Sequence, residues 1–206
     1  MKVIHVIPSA FNYFDDIRAE AFALIEYLEL MGIDNEAFTI EFGGSVPETT
    51  RTEVKATAPS QQFKGLVPTK EMIALFASGD IVHVHCPLLG GARKILRWKK
   101  AGAPQPLVVS YHRRVIVPDF FSLLTSAYNA WYLPKLWRLA TVGVVLGEAG
   151  LPSKLARQHD RVVRIDDSEE FLGEELVIGP DGRRLTRQER LAIKHAIVYN
   201  QVVSSS

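Results

Sequence analysis

Six residues with reactive or ligand-binding side chains lie near the ends of two apolar segments: His83, His85, Cys86, His112, Arg113 and Arg114. An imidazole can transfer a proton, donate a hydrogen bond to a sugar hydroxyl or bind a metal ion. A guanidinium group can pair with a phosphate or a carboxylate through two parallel hydrogen bonds. The pattern predicts a polar site for an anionic or hydroxylated ligand, and ordinary packing at a strand end is the alternative.

The two histidines of "DIVHVHCPLLGG" also raise the question of a metal ion. Because side chains alternate along a strand, His83 and His85 share one face. Zinc binds His and Cys side chains, but no C-x-x-C or H-E-x-x-H spacing indicates such a site here. We therefore expect no metal, a hydrogen-bonded His83 inside the protein and a His85 that lines the ligand site. Two purely structural histidines are the alternative.

The elements that must position these residues alternate along the chain. Strands are expected at 2–7, 35–40, 80–85, 106–112, 141–146 and 161–165, and helices at 17–32, 69–79, 92–102, 119–139 (interrupted near Pro134) and 153–159. A polar stretch without periodicity at 43–65 predicts a long loop. Near-continuous Val, Ile and Leu strands separated by helices indicate a parallel sheet covered on both faces. The fold class is α/β, a Rossmann-like doubly wound parallel sheet of six or seven strands.

Three polar loops leave the carboxyl ends of these strands, where open α/β sheets bind ligands. The loops are 8–16 (with Asn12, Tyr13, Asp15 and Asp16), 85–91, and 110–114 (with His112, Arg113 and Arg114). Gly90-Gly91 precedes a helix and is a weak sign of an anion cradle, which a simple turn explains equally well. We expect the three loops to form one crevice.

Charge is unevenly distributed along the chain, although the net charge is only +1. Residues 1–80 hold 6 Lys and Arg against 12 Asp and Glu, whereas residues 81–147 hold 9 against one, Asp119. A basic middle third indicates an anionic partner such as a phosphate, an acidic glycan or a lipid surface, or a solvated face whose sign is accidental. The expected anion- or membrane-binding residues lie on the basic helix: Arg93, Lys94, Arg97, Lys99 and Lys100.

Aromatic residues follow this basic helix: Phe120, Phe121, Tyr128, Trp131, Tyr132 and Trp137. Such a stripe suits a membrane interface, but at helical spacing it is also typical of a protein core. No apolar run approaches the roughly 18–20 residues that span a bilayer, and no signal peptide opens the chain. We expect a cytoplasmic protein, peripheral at the inner membrane face if the basic surface binds lipid. No recognised nucleic-acid motif occurs, and we expect no nucleic-acid partner.

The order of these segments resembles the N-terminal, acceptor-binding domain of GT-B glycosyltransferases of the family-4-like kind. The resemblance covers residues 1–171 and rests on "MKVIHVIPS", "DIVHVHCPL", "PLVVSYHRR", "AYNAWYLPKLWRLATVGVVL" and "RVVRIDDSEEF". It implies that His112 matches a histidine that contacts the transferred sugar, and that loop 8–16 approaches the donor phosphates. It also implies a nucleotide sugar as co-substrate, retention of anomeric configuration and no dependence on a bound metal.

Two features depart from that family. The sequence holds no donor domain, and Asp15-Asp16 stand where family members commonly have two glycines. Glycines let backbone N–H groups at a helix N-terminus approach a pyrophosphate, whereas two unit charges about 4 Å apart repel by on the order of 1–4 kcal/mol. An aspartate that merely caps the helix explains the pair equally well.

The sequence changes character after Phe171. We expect a domain at 1–171 and a tail at 172–206, with a turn at Pro180-Asp181-Gly182 and a helix at about 186–203 that packs back on the domain. The tail is too short for a second Rossmann-like domain. In full-length members of the resembling family, the last helix also returns to the acceptor domain.

The resulting prediction is the acceptor-binding half of a glycosyltransferase, which transfers a sugar to a glycan or lipid-linked acceptor together with a donor-domain subunit. His112 is the expected catalytic residue, and the expected acceptor-binding residues are His85, Asn12, Tyr13, Asp15, Asp16, Arg113 and Arg114. A catalytically inactive binding or scaffolding module is the alternative, and a homo-oligomer that rebuilds the cleft is a third. No cofactor is expected besides the nucleotide sugar.

Overall fold

A single seven-stranded parallel sheet forms the centre of the protein. The computed structural model describes residues 1–10, 15–42, 60–64, 69–88, 91–112, 121–146, 155, 161–165 and 184–205. The strands are β1 (Lys2–Ala10), β2 (Asp34–Phe42), β3 (Ser60–Lys64), β4 (Ile81–Cys86), β5 (Leu107–Tyr111), β6 (Val142–Leu146) and β7 (Val162–Ile165). Their spatial order is β3-β2-β1-β4-β5-β6-β7, and every neighbouring pair is parallel. The chain builds outward from β1 to one edge and then to the other, which confirms the doubly wound, Rossmann-like α/β fold.

The described helices are α1 (Asp15–Leu30), α2 (Thr69–Ala77), α3 (Ala92–Lys100), α4 (Phe121–Ala127), α5 (Leu133–Leu139) and α6 (Arg187–Ser204). A π-helical turn, Tyr128–Tyr132, joins α4 to α5 and is the interruption expected near Pro134. Pro134 lies in the first turn of α5, where its missing N–H would have had no helical partner.

The two faces of the sheet carry different layers. On one face, α2, α3 and α5 pack with alternate strand residues such as Val6, Val84 and Val109 into the larger apolar core. On the other face, α1 and α6 cover the intervening strand residues, including Val3 and Val108. The histidines of β1 and β4 lie on this second face, because they alternate with the core residues of the first.

Helix α1 follows the sequence pattern closely. Its buried stripe comprises Ile17, Ala21, Leu24, Ile25 and Leu28. Gly32 ends the helix with a φ of 79°, and the N–H of Ile33 donates back to the carbonyl of Leu28 at 3.0 Å. A glycine adopts this left-handed conformation at little cost, so the chain turns directly into β2.

One strand lies inside the segment that we expected to be a loop. Residues 60–64 of the 43–65 stretch form β3, which among the described strands pairs with β2 alone, at the sheet edge. Its sequence, SQQFK, lacks the apolar run of the central strands. Edge strands are often polar, since one side of the ladder has no partner strand, and such a strand gives little sequence signal. Residues 43–59 lie outside the described part of the chain.

Helix α6 begins at a capping box. The Thr186 hydroxyl accepts a hydrogen bond from the N–H of Glu189, whose carboxylate accepts one from the N–H of Thr186. The helix lies against α1 and the sheet, where it buries Ala192, Ala196, Val198, Tyr199 and Val202. The domain boundary expected at 171 and the turn at Pro180-Asp181-Gly182 lie outside the described residues.

Within the described segments, no helix is both long enough and apolar enough to cross a bilayer. The helix expected at 153–159 lies outside them apart from Leu155, which is buried.

Candidate functional site

Five of the six histidines in the sequence lie together under α1 and α6: His5, His83, His85, His112 and His195. His5 on β1 pairs in register with His83 on β4, so their side chains are neighbours on the same face of the sheet. His195 belongs to α6, the helix that covers this face, and its ring packs against that of His83. Together these five residues form what we call the histidine cluster.

A chain of hydrogen-bond contacts runs through this cluster to the surface. Nε2 of His5 lies 3.1 Å from Oδ1 of Asn35, and Nδ1 of His5 lies 3.1 Å from Nε2 of His85. Nδ1 of His85 lies 3.0 Å from Nε2 of His112, whose Nδ1 lies 3.1 Å from Oε2 of Glu20. Asn35 is buried, whereas the Glu20 side chain is 47% exposed. The chain thus links the centre of the protein to solvent through three imidazoles.

His83 has different partners. Its Nδ1 lies 2.6 Å from the Tyr199 hydroxyl of α6, and its Nε2 lies 2.6 Å from the Ser110 hydroxyl of β5. The His83 and His85 ring centroids are 4.2 Å apart. The expectation of a buried, hydrogen-bonded His83 thus agrees with these contacts.

Burial dominates the electrostatics of the cluster. It lowers the pKa of His5 to about 3 and that of His195 to about 4, and it holds the pKa values of His83 and His85 well below the usual range. The cause is that a charged imidazolium loses its hydration inside the protein. Neighbouring imidazoles lower the pKa of His85 further, because a second positive charge would repel the first.

Cys86 does not belong to the histidine cluster. It follows His85 on β4 and therefore faces the opposite layer, where the Tyr128 hydroxyl donates to its Sγ at 3.2 Å. Burial raises the pKa of the Cys86 thiol to about 12. A thiol with this pKa is a poor nucleophile and a poor metal ligand.

His112 and His85, the two histidines expected in the ligand crevice, differ in access. His85 is fully buried, with both ring nitrogens in contact with other histidines, so its side chain does not reach the rim of the crevice. His112 directly follows β5, is 7% exposed and reaches the surface through Glu20. Of the two, only His112 lies at the carboxyl edge of the sheet where ligands bind in such folds.

The other expected site residues are only partly described. Asn12, Tyr13, Arg113, Arg114 and Gly90 lie outside the described residues. Asp15 is the first residue of α1, and Asp16 beside it is exposed in the first turn. Their roles stay predictions.

The basic helix α3 presents three of its expected residues, Arg93, Arg97 and Lys100, to solvent. Lys94 is half-buried. Lys99 is also half-buried, and its ammonium group donates to the carbonyls of Ala103 and Gln105 at 3.0 and 2.7 Å. Lys99 therefore stabilises the turn after α3, which makes it less available to an external anion than the other three.

The aromatic stripe divides between core and surface. Tyr128 and Trp137 are buried in the core and Tyr132 packs against it half-buried, whereas Trp131 is 66% exposed. Leu123, on the helix before it, is 70% exposed. The core interpretation therefore holds for most of the described aromatic residues and fails for Trp131.

Several members of the site were not singled out from the sequence: His5, Glu20, Asn35, His195 and Tyr199. His5 had a usable signal, since it interrupts the apolar run of β1 as His83 and His85 interrupt that of β4. Glu20 and His195 had none, because each is one polar residue on an amphipathic helix and only the tertiary structure brings it to the sheet.

Comparison with known proteins shows the fold but no close relative. No protein-family model and no curated protein matches the sequence. An alpha-glucosyltransferase in complex with UDP and a 13-mer DNA containing a central A:G mismatch is similar with a TM-score of 0.54 and 11% identity, over 86% of this chain and 46% of that one. An alpha-glucosyltransferase in complex with UDP gives a TM-score of 0.49 and 12% identity, over 71% and 35% of the two chains.

At this identity the first likeness shows the fold alone, a Rossmann-like α/β fold. The chain spans less than half the length of that structure.

Proposed function

We propose that the protein is the acceptor-binding half of a glycosyltransferase that works with a donor domain from another chain. A sugar would pass from a nucleotide sugar to a hydroxyl of a glycan or lipid-linked acceptor. The similarity of the fold to that of an alpha-glucosyltransferase supports this proposal. The family-4-like character and retention of configuration belong to the proposal through the sequence resemblance.

The observation that carries the proposal is the position of His112. It follows β5 at the carboxyl edge of the sheet, and its ring is held on one side by His85 and on the other by Glu20. Glu20 comes from the helix that follows β1, so the pair lies across the point where the strand order reverses between β1 and β4. Ligands bind at this point in doubly wound sheets. Both ring nitrogens have partners, so the ring is fixed in place and would contact a sugar through its edge or by exchanging the Glu20 contact for a sugar hydroxyl.

The exposed part of α3 supports an anionic partner. Arg93, Arg97 and Lys100 present positive charge on one helix, and exposed Trp131 and Leu123 add apolar surface from the segment after β5. Exposed basic residues together with exposed apolar side chains would suit the surface of an anionic membrane that carries a lipid-linked acceptor. An anionic phosphate or an acidic glycan would also satisfy these charges.

A catalytically inactive binding module is the second candidate, and Asp16 favours it. This exposed carboxylate lies in the first turn of α1, where the helix dipole already attracts it and where a diphosphate would otherwise bind. Its charge disfavours a donor phosphate at that position. A module that binds a glycan without transferring sugar needs no such phosphate site.

The test compares acceptor binding by the full chain and by two variants. Calorimetry and a glycan array, including lipid-linked glycans, should show binding by the wild type and about tenfold weaker binding by His112→Ala. Loss of one ligand contact worth about 1.4 kcal/mol corresponds to that factor. Gln201→Ala, on the exposed face of α6, should bind like the wild type. Far-UV circular dichroism confirms that each variant is folded.

Nucleotide sugars distinguish the two candidates. The chain alone should bind none of them measurably, and a donor-domain subunit captured with the chain should restore transfer. Glycan binding with no transfer in the presence of that subunit would favour the inactive module. No glycan binding by the folded wild type, or tight binding of a nucleotide sugar by the isolated chain, contradicts the proposed acceptor half.

A further inference from the structure

We infer that His5, His83 and His85 hold a divalent transition-metal ion between the sheet and α6, with His195 of α6 moving in as the fourth ligand. One nitrogen from each of His5, His83 and His85 lies within 4.8 Å of the other two, and all three rings are fully buried. This inference does not depend on the proposed glycosyltransferase function. It departs from the sequence-based expectation of no metal, which considered His83 and His85 without the third strand histidine, His5.

The first argument is the position of the protons at the two ends of the hydrogen-bond chain. The Asn35 amide donates through Nδ2 to the Ile33 carbonyl at 2.7 Å, which turns its Oδ1 toward His5. Nε2 of His5 must therefore carry the proton and donate to Asn35. At the other end, the Glu20 carboxylate accepts, so Nδ1 of His112 must carry the proton.

A neutral imidazole has one N–H, and this leaves a conflict in the middle of the chain. His112 then has a lone pair on Nε2, which accepts from Nδ1–H of His85. That leaves lone pairs on Nε2 of His85 and Nδ1 of His5, which face each other at 3.1 Å. Two lone pairs do not attract each other. Either an extra proton on the hydrogen-bond chain, which would reverse its donors, or a metal ion between the two nitrogens would remove this conflict.

The spacing of the rings favours a metal ion. Two nitrogens bound to one tetrahedral Zn²⁺ at 2.0–2.1 Å lie about 3.3 Å apart, and the centroids of their rings lie about 5 Å apart. The His5 ring centroid is 5.2 Å from that of His83 and 5.4 Å from that of His85. The His83 and His85 ring centroids are closer, at 4.2 Å, so these two rings would have to separate by about 1 Å to surround one ion.

His195 supplies the second, independent observation. Its Nδ1 is in contact with the Leu191 carbonyl of its own helix at 2.8 Å, so its Nε2 lies on the far side of the ring from that carbonyl. This Nε2 is buried and has no hydrogen-bond partner among the described residues. The His195 ring centroid is 5.6 Å from that of His83. A buried lone pair without a partner is costly, and coordination to the ion would satisfy it.

The surrounding groups match those that orient metal-bound histidines. Such histidines usually donate their second N–H to a carbonyl, a carboxylate or another acceptor. Asn35 would serve His5, and His112 backed by Glu20 would serve His85. His83 has a hydroxyl on each nitrogen, so one hydroxyl can keep its N–H while the other nitrogen binds the ion.

The donor set selects the class of ion. All four ligand atoms are imidazole nitrogens, which suit Zn²⁺, Co²⁺, Ni²⁺ and Cu²⁺ but not Mg²⁺ or Ca²⁺. A site with four protein ligands and no exposed member is typical of structural zinc. The expected role is therefore to join α6 to the sheet rather than to activate a water molecule.

The test uses the full chain with any affinity tag of histidines removed. Elemental analysis of the purified protein should give one zinc-class ion per chain. After removal of the ion by a chelator, Co²⁺ should restore one equivalent of binding with the visible absorption of tetrahedral cobalt. At about 100 times the dissociation constant, the ion should raise the melting temperature by roughly 5–10 °C for a chain of this size.

Four variants locate the ion. His5→Ala and His85→Ala should lose the cobalt spectrum, whereas His112→Asn should keep it and weaken binding by about 10–100-fold, as expected for a group that only orients a ligand. His195→Ala should bind with a changed spectrum, since the fourth ligand is replaced. Gln201→Ala, on the exposed face of α6, serves as the control and should match the wild type.

The wild-type measurements alone decide the matter if a variant fails to fold. No bound metal in the purified protein, together with no cobalt spectrum and no shift in melting temperature, overturns the inference and leaves an extra proton on the hydrogen-bond chain as the explanation. Cobalt binding that survives in folded His5→Ala and His85→Ala would also overturn it.

Discussion

The carboxylate of Glu20 joins the end of the sheet to the C-terminal helix. Its Oε2 lies 3.1 Å from Nδ1 of His112, after β5, and its Oε1 lies 3.7 Å from Nη1 of Arg187, at the start of α6. One side chain of α1 thereby contacts two segments that are distant in sequence. Because His112 is nearly buried, Glu20 is also its route to solvent.

Replacing Glu20 by alanine should lower the free energy of unfolding by about 1 kcal/mol. The value is modest because the Glu20 side chain is 47% exposed and water can take its place beside His112. Urea unfolding measures the change, and Glu26→Ala, at an exposed position of the same helix, is the control. Equal effects of the two substitutions would contradict a specific role for the Glu20–His112 contact.

Acid should destabilise the metal-free protein because its buried histidines resist protonation. Folding lowers the pKa of His5 to about 3 and that of His195 to about 4, from 6.5. Their contribution to stability is therefore complete above pH 6.5 and is lost as the pH falls from 6.5 toward these values. At pH 5, His5 and His195 should each lower the free energy of unfolding by about 2 kcal/mol relative to its value at pH 7.5.

Urea unfolding between pH 5 and 7.5, in the presence of a chelator, measures this dependence. Each buried histidine should contribute a slope of about 1.4 kcal/mol per pH unit near pH 5. His195→Gln should have a smaller slope than the wild type because it removes one such group. A free energy of unfolding that does not change across this range would contradict the burial of neutral imidazoles.

The course of the main chain could be predicted because local signals agreed with the global fold. Central strands such as β4 and β5 are nearly pure apolar runs, and Gly32 marks the end of α1. The only described strand that was missed, β3, is polar and pairs on one side only. Its position depends on β2 rather than on its own sequence.

The site could be predicted less well because it depends on contacts across the sheet. The sequence indicated correctly that His83 and His85 share a face, since alternation is a local property. It did not indicate that His5 lies beside them on the same face, which follows from the strand order. Nor did it indicate that His195 packs against them, which follows from the docking of α6 on the sheet. This docking buries the imidazole of His85, which we had expected at a rim.

Gly143 should not tolerate a side chain, although it lies in the middle of β6. A Cβ at this position would lie 2.5 Å from Cζ2 of Trp137, a fully buried residue of α5. Gly143→Ala should therefore destabilise the protein by about 1–3 kcal/mol through overpacking. Gly102→Ala is a useful contrast, since its Cβ meets open space but its φ of +88° is strained, which should cost about 1 kcal/mol.

Thermal unfolding of the two glycine variants measures these effects. A Gly143→Ala protein with a melting temperature within 1 °C of the wild type would contradict the close packing of β6 against Trp137.

Helix α6 should be essential to the fold, since it covers one face of the sheet. Its buried residues include Tyr199 and Val202, which pack in the same apolar cluster as Leu28 of α1. Deleting residues 186–206 should prevent folding or lower the melting temperature by more than 10 °C. An unchanged melting temperature would show that the helix is dispensable.

Two adjacent valines of α6 provide a matched pair for the same conclusion. Val202 is 1% exposed and Val203 is 44% exposed. Val202→Ala should lower the free energy of unfolding by about 1–3 kcal/mol, because it removes buried methyl groups and leaves a cavity. Val203→Ala should change it by no more than about 0.5 kcal/mol. Urea unfolding of both variants measures the difference, and a larger loss at Val203 than at Val202 would mean that the opposite face of α6 packs on the sheet.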